Sequence, residues 1–454
     1  MNPEFQRNIW LELTPRRLVL MVVLLTLAFF AAAVAGGTEY TLGSMAQLLY
    51  YSIVVVWGAR NASLAVVGEI RDRTWDMQLL SAITPGEMTW GKLFGSTVYN
   101  WFGGAICLAV MLVDKGAHAG PLAAVFDFIY YVAVGVISQA AAFLASLVAV
   151  RRRQAHSRLD IFIYQTIGIL AGVAVYWIWS IADPAGSYLF HKVAGDTVTW
   201  WGRVLDRRGF LLLSLAIFTA WTLLGCYREM RLELKMQNGT LVWLAFLVFI
   251  GIYVAGFDAW LSDDKTMAGW DAGSLRLALA GVTYTALTYL MVFLEAKDRV
   301  HLRWLGSQIS SGRVGAFWSG LQAWMMSYIA AIVCTAALLF WLHQNRPDIV
   351  DQLALIAAAA GFLTRDVGIF VFMRALPGRR RGDFAALGIL FALYVLAPAI
   401  INGLGFKNLL MLFYPFPTSP VWMGPVVAWA EGIAMAVLAF SQIALARKPA
   451  QASA

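Results

Sequence analysis

Long apolar runs, punctuated by short charged clusters, set the pattern of this chain. A helix needs about 20 apolar residues to cross the hydrocarbon core of a bilayer. Twelve stretches are read as such spans: 18–36, 43–60, 95–113, 122–150, 159–182, 209–227, 240–260, 273–295, 318–343, 350–375, 383–402 and 419–445. The pattern predicts an all-α polytopic membrane protein. The first run ends in Ala33, Val34 and Ala35, as a signal peptide can, but the charged stretch before it, NPEFQRNIWLELTPRR, is foreign to one. The run is therefore expected to remain as a span. Within that charged stretch Phe5, Ile9 and Leu13 recur every four residues, with Trp10 beside them. This spacing predicts a short helix over residues 3–15, lying in the membrane interface with its apolar side down.

Composition sharpens the picture. Hydrophobic residues make up 60% of the 454 and charged residues 13%, against about 25% charged in soluble domains. A soluble enzyme, a disordered chain and a secreted disulfide scaffold are excluded. The net charge of +8 is read as a sign of topology, not of nucleic acid. With the N-terminus inside, 24 of the 34 Lys and Arg residues fall on inside segments, in keeping with the positive-inside rule. An even number of spans then places both termini in the cytoplasm. Cys107, Cys226 and Cys334 lie far apart, in or beside apolar stretches, with no CxxC pair and no Cys/His cluster. They read as packed thiols, and neither a metal nor a cofactor is expected.

The chain repeats itself. EIRDRTWDMQLLSAITPG from Glu69 aligns without a gap on EAKDRVHLRWLGSQISSG from Glu295, with seven identities in 18 positions. The pairs are Glu69/Glu295, Asp72/Asp298, Arg73/Arg299, Leu79/Leu305, Ser81/Ser307, Ile83/Ile309 and Gly86/Gly312. Both segments follow the second span of a six-span half. The expectation is two parallel six-helix repeats, 1–226 and 227–454, each with two spans, a cytoplasmic loop and four more spans.

Two short motifs tempt and fail. GEMTWGK, from Gly86 to Lys92, fits the first positions of a P-loop, but Leu93 stands where Ser or Thr should ligate Mg²⁺, and no strand precedes it. GEIRDR, from Gly68 to Arg73, is similar to the loop between spans two and three of major-facilitator transporters. That loop is short and ends in further basic residues, whereas some 30 residues separate the spans here. An ion-gradient-driven secondary transporter of that type stays as the alternative reading, with a non-transporting accessory membrane subunit behind it. No cluster of His, Asp or Glu at a membrane face suggests an enzyme.

The first loop resembles that of the membrane subunits of type-2 ABC exporters. Members carry E-x-x-x-x-T-x-x-x-L-L after span two, then a turn with Pro, then Gly-Lys opening span three. Here Glu69, Thr74, Leu79, Leu80, Pro85, Gly91 and Lys92 follow that order in imperfect register. The family also has an interfacial helix before span one. The resemblance implies a permease in the cytoplasmic (inner) membrane, whose loop is a coupling helix docking on ATP-binding cassette ATPase subunits on separate chains. Membrane lipid is the other implied partner, and ATP hydrolysis belongs to the ATPase. An amphipathic helix can lay its apolar side in a partner's groove, and end charges such as Glu69, Asp72 and Arg73 can set its register. The implied coupling residues are Glu69, Asp72, Arg73, Leu79, Leu80, Ile83, Pro85, Gly86 and Lys92, then Glu295, Asp298, Arg299, Leu305, Ile309 and Gly312. The second copy departs from the pattern, with Val300 opposite Thr74, Ser311 opposite Pro85 and Trp318 opposite Lys92.

Arg365 and Asp366 fall within the tenth predicted span and Glu431 within the twelfth. Ionisable groups at membrane depth are costly and often functional. The simplest expectation is that Arg365 pairs with a carboxylate across a helix interface; a polar cavity or a substrate contact is the other. The outside loops 183–208 and 402–418 lie between the last two spans of each half. In the exporter family this position holds re-entrant helices.

Overall fold

The computed structural model describes residues 2–35, 42–151, 158–182, 197–236, 238–257, 270–295, 297–346, 348–376 and 382–445. Among these, nine helices are long and apolar enough to cross a membrane, or ten when one bent pair counts as a span. The apolar helix Leu241–Ala255 is shorter; its fifteen residues rise about 22 Å, less than the roughly 30 Å hydrocarbon core. The protein is thus an all-α polytopic membrane protein. Its contacts divide it into two compact units, Met1–Val198 with Arg203–Asn238, and Thr199–Gly202 with Gly239–Ala454.

The first unit opens with α1 (Pro3–Glu12) and α2 (Pro15–Ala35). On α2, Val19, Leu20, Leu24 and Leu27 are exposed, as lipid-facing residues are. Next, α3 (Leu42–Tyr50), a π-helical stretch Tyr51–Trp57 and α4 (Gly58–Arg71) form one long helical run. A short α5 (Trp75–Leu79) precedes α6 (Pro85–Gly95), and α7 (Val98–Ala119) continues from α6 at a bend of 55°. Then come α8 (Pro121–Arg151), α9 (Arg158–Ala182), a two-stranded hairpin of β1 (Thr197–Trp200) and β2 (Arg203–Asp206), and α10 (Arg207–Glu233). The described part of the predicted first outside loop is therefore a hairpin, not a re-entrant helix. Thr, Val and Trp are residues that favour strands.

The π-helical stretch lies in the core of this unit, and its carbonyls take side-chain amides from three neighbouring helices. Asn100 on α7 donates to the carbonyl of Ile53 (2.9 Å), Gln139 on α8 to Val54 (3.0 Å) and Gln165 on α9 to Val56 (3.0 Å). Asn61 bonds Asn100 (2.8 Å), and the Trp101 indole donates to Gln139 (2.9 Å). No water satisfies backbone groups in a bilayer interior, so such carbonyls need partners from within.

The second unit contains α11 (Leu241–Ala255), α12 (Ala272–Leu294), α13 (Arg299–Ser310), α14 (Val314–Gly320), α15 (Ala323–Asn345) and α16 (Val350–Ala375). It continues with α17 (Gly382–Phe391), a π-helical stretch Ala392–Leu396, α18 (Ala397–Gly403), a 3₁₀ turn Lys407–Leu412 and α19 (Met423–Leu445). The segment 402–418, predicted as the second outside loop, contains this 3₁₀ turn. Helices α16 and α19 cross closely: a Cβ on Gly361 would stand 2.7 Å from the Ala428 carbonyl carbon, and one on Gly432 2.8 Å from the Gly361 oxygen. Small residues that let backbones approach are how membrane helices associate where lipid supplies no hydrophobic drive. The core of this unit gathers Val292, Leu363, Phe370 and Ala439.

Candidate functional site

The first loop is framed by an ion network around the buried Lys92. Thr84 caps α6: its hydroxyl accepts from the Glu87 backbone N–H (3.3 Å), and the Glu87 carboxylate accepts from the Thr84 backbone N–H (3.1 Å), with Pro85 at the first helical position. This capping box fixes where the helix begins. Lys92, two turns on, is 1% exposed. Its ammonium bonds Glu4 on α1 (3.0 Å) and Glu69 on α4 (2.5 Å), and lies 5.2 Å from the Trp75 ring centroid. Arg7 bonds both carboxylates, Glu4 at 2.9 Å and Glu69 at 2.6 Å, while Gln78 donates to Glu69 (2.6 Å).

Helix α1 docks on α6 through a glycine at the crossing. A Cβ on Gly91 would stand 2.7 Å from the Glu4 Cβ and 2.9 Å from the Phe5 nitrogen. Asn8 donates to the Gly91 carbonyl (3.1 Å). A helix forms where the interfacial one is predicted, but its buried residue is Glu4, not one of the apolar repeat. Phe5 and Ile9 are half-buried, and Trp10 and Leu11 are exposed.

The loop itself differs from a single amphipathic helix. Helix α4 runs on to Arg71, and the chain turns through Arg73 at φ 59°. The short α5 follows, and residues 81–84 are not helical. Trp75 is buried and Leu79 and Ile83 pack inward, whereas Met77 (69% exposed) and Leu80 (89%) project outward. Asp72, Arg73 and Gly86 are exposed and Pro85 is half-buried. Of the implied coupling residues, Glu69 and Lys92 are thus committed to an internal ion pair. The outward surface is Asp72, Arg73, Met77 and Leu80.

The second loop is built otherwise. Glu295 ends α12, and its carboxylate accepts from the backbone N–H of Trp324 at the start of α15 (2.9 Å). Lys297 is buried, bonds Asp383 on α17 (3.0 Å) and donates to the Val292 carbonyl. Asp298 caps α13, accepting from the Val300 N–H (3.1 Å), and Arg299 is the first residue of that helix. Leu305 is buried, Ile309 is exposed and Gly312 turns the chain at φ 68°. Here the loop does form a twelve-residue helix, and the His301 ring nitrogen bonds the Gly320 carbonyl (2.9 Å) to close it on α14.

Arg365, Asp366 and Glu431 come together. The Arg365 guanidinium bonds Asp366 (3.1 Å) and Glu431 across the α16–α19 interface (2.9 Å), and donates to the carbonyls of Leu412 (3.1 Å) and Phe413 (3.4 Å). The hydroxyls of Tyr289 (2.7 Å) and Tyr394 (2.6 Å) donate to the other Asp366 oxygen. The pairing across a helix interface is the arrangement expected from the sequence; the tyrosines and the carbonyls were not anticipated. Among the described residues no group of three or more His, Cys, Asp or Glu could hold a metal ion, and the three cysteines are free and buried.

No family model matches the chain, and neither a curated protein nor a solved structure does. Sequence reasoning missed Glu4, Arg7, Gln78, Tyr289, Tyr394 and the Lys297–Asp383 pair. Only the Thr84–Glu87 spacing, T-x-x-E before an apolar run, carried a local signal.

Proposed function

We propose that this chain is the membrane-spanning permease subunit of an ATP-driven exporter, coupling separate ATP-binding cassette ATPase subunits to substrate movement across the cytoplasmic membrane. On this reading it has twelve spans in two parallel six-helix repeats, with both termini in the cytoplasm. The carrying observation is the first loop: an exposed apolar tip, Met77 and Leu80, on stems tied together by the pair of the buried Lys92 with Glu69. A coupling element needs both. The tip offers apolar surface to a groove, and the tie makes a push on the tip move α4 and α6 together. The resemblance in the segment from Glu69 to Lys92 and its echo from Glu295 support the same reading.

Gentle purification from native membranes, with crosslinking, tests it. Two copies of a P-loop ATPase per chain are expected, and a Met77→Asp, Leu80→Asp variant should recover about tenfold less of it at unchanged membrane abundance. A chain that comes alone, or full recovery with the variant, overturns the reading. The cluster of Arg365, Asp366 and Glu431 favours a second one, an ion-gradient-driven transporter. That reading expects transport that follows a proton or sodium gradient without any ATPase and is lost in Glu431→Gln.

A further inference from the structure

The second unit holds a cleft of about 590 Å³, within the size range of small-ligand sites. Its walls are the π-helical stretch, α18, the 3₁₀ turn and the segment after it. Pro398 and Leu410 give it apolar surface, and Tyr394, Asn402, Lys407 and Tyr414 give it polar groups. Lys407 is the only charged residue between Asp383 and Glu431. It is exposed, and no carboxylate pairs with it among the described residues. The side chains of Asn402 and Tyr414 likewise have no hydrogen-bond partner there. All three can donate a hydrogen bond, and no acidic side chain lines the cleft.

The cleft is also held in shape from below. Tyr394, in its wall, is fixed by its bond to Asp366, and Arg365 holds the Leu412 and Phe413 carbonyls beside the 3₁₀ turn. Leu404, Phe406 and Leu409, close in sequence to the lining residues Asn402, Lys407 and Leu410, are exposed. An open cleft lined by hydrogen-bond donors, with one cation unpaired among the described residues and exposed apolar neighbours, matches an anionic group carried on hydrocarbon.

We propose that this cleft binds the phosphate headgroup of an anionic lipid, with Lys407 as counter-ion, Asn402 and Tyr414 as neutral donors, and the acyl chains along Leu404, Phe406 and Leu409. The assignment goes beyond the permease reading and requires only that the chain sit in a bilayer.

Native mass spectrometry of the full chain, in phosphatidylcholine nanodiscs doped with phosphatidylglycerol, tests the site. The wild type should retain phosphatidylglycerol over phosphatidylcholine. Lys407→Gln should lower that retention about fivefold, and Lys407→Arg should keep most of it. Equal retention by the wild type and Lys407→Gln overturns the site. Inorganic phosphate, offered to the wild type in lipid-free detergent, is the second arm. Binding there with the same dependence on Lys407 would assign the cleft to free phosphate and overturn the lipid. ATPase recovery, read on the same preparations, is expected to be unchanged in Lys407→Gln, so failure here and failure of the permease reading are told apart.

Discussion

The two units meet the same demand in different ways. Each has a π-helical stretch and each carries polar side chains at membrane depth. In the first unit those side chains are amides: Asn100, Gln139 and Gln165 serve the carbonyls of Ile53, Val54 and Val56. In the second they are ions: Arg365 between Asp366 and Glu431, with Tyr394 of the π stretch bonded to Asp366. A neutral amide repairs a widened helical turn at small cost and holds no charge to be moved. A buried ion trio carries a desolvation penalty, which its mutual attraction offsets only when the geometry is well satisfied. Around the π-helical stretches, then, the second unit holds charges where the first holds neutral amides.

Removing Arg365 should break the comparison most severely. Arg365→Met leaves Asp366 and Glu431 without their cation, and a loss of about 3–5 kcal/mol is expected in a thermal or denaturant unfolding assay in detergent. Replacing all three together, as Arg365→Met, Asp366→Asn and Glu431→Gln, should recover most of that loss. A single variant as stable as the wild type would show that the trio does not hold α16 to α19. In the first unit Gln139→Leu removes the donor to Val54 and the acceptor of Trp101, and the same assay should register about 1–3 kcal/mol. If it matches Arg365→Met, the neutral and ionic solutions are energetically equivalent and the contrast fails.

The smallest effect lies at the start of α12. Asp271 caps that helix, accepting from the Gly273 and Ser274 backbone N–H groups and from the Trp341 indole at 3.0 Å. Burial would raise its pKa, but these bonds together hold it below the usual carboxylate range. Its folded-state value is therefore depressed relative to about 3.9 in the unfolded chain. The stabilisation is present above the unfolded value and is lost as pH falls through the folded one. Asn caps about as well as Asp and does not titrate. Asp271→Asn should thus shift stability by less than about 1 kcal/mol at neutral pH and flatten the acid limb of a melting-temperature profile. An unchanged acid limb would remove Asp271 from that role.

Hydropathy made the membrane character legible, because apolar runs report the solvent directly. The pairing of Arg365 was legible too, since an intramembrane cation must find a partner. The first loop was read as one amphipathic helix for a definable reason. Trp75, Met77, Leu79, Leu80 and Ile83 interleave with polar residues at spacings that suit a helix, but Thr84 and Pro85 open a new one and Arg73 turns the chain before it. Glu4 was invisible because its partner Lys92 lies 88 residues away, and periodicity carries no information at that range. The amide bonds to the π stretch were hidden for the same reason: Asn100, Gln139 and Gln165 come from three different helices.

That separation along the chain is also a separation in time. Protein chains emerge from the ribosome at roughly 5–20 residues per second, so α1 exists for on the order of ten seconds before Lys92 is made. Glu69 is made 62 residues after Arg7 and can take Arg7 first, while Glu4 still awaits its lysine. Trp10 and Leu11 stay exposed in the finished protein. Helix α1 is therefore seated only after α6 has been made, and a variant that holds α1 away during those seconds would leave Lys92 to enter its site without Glu4.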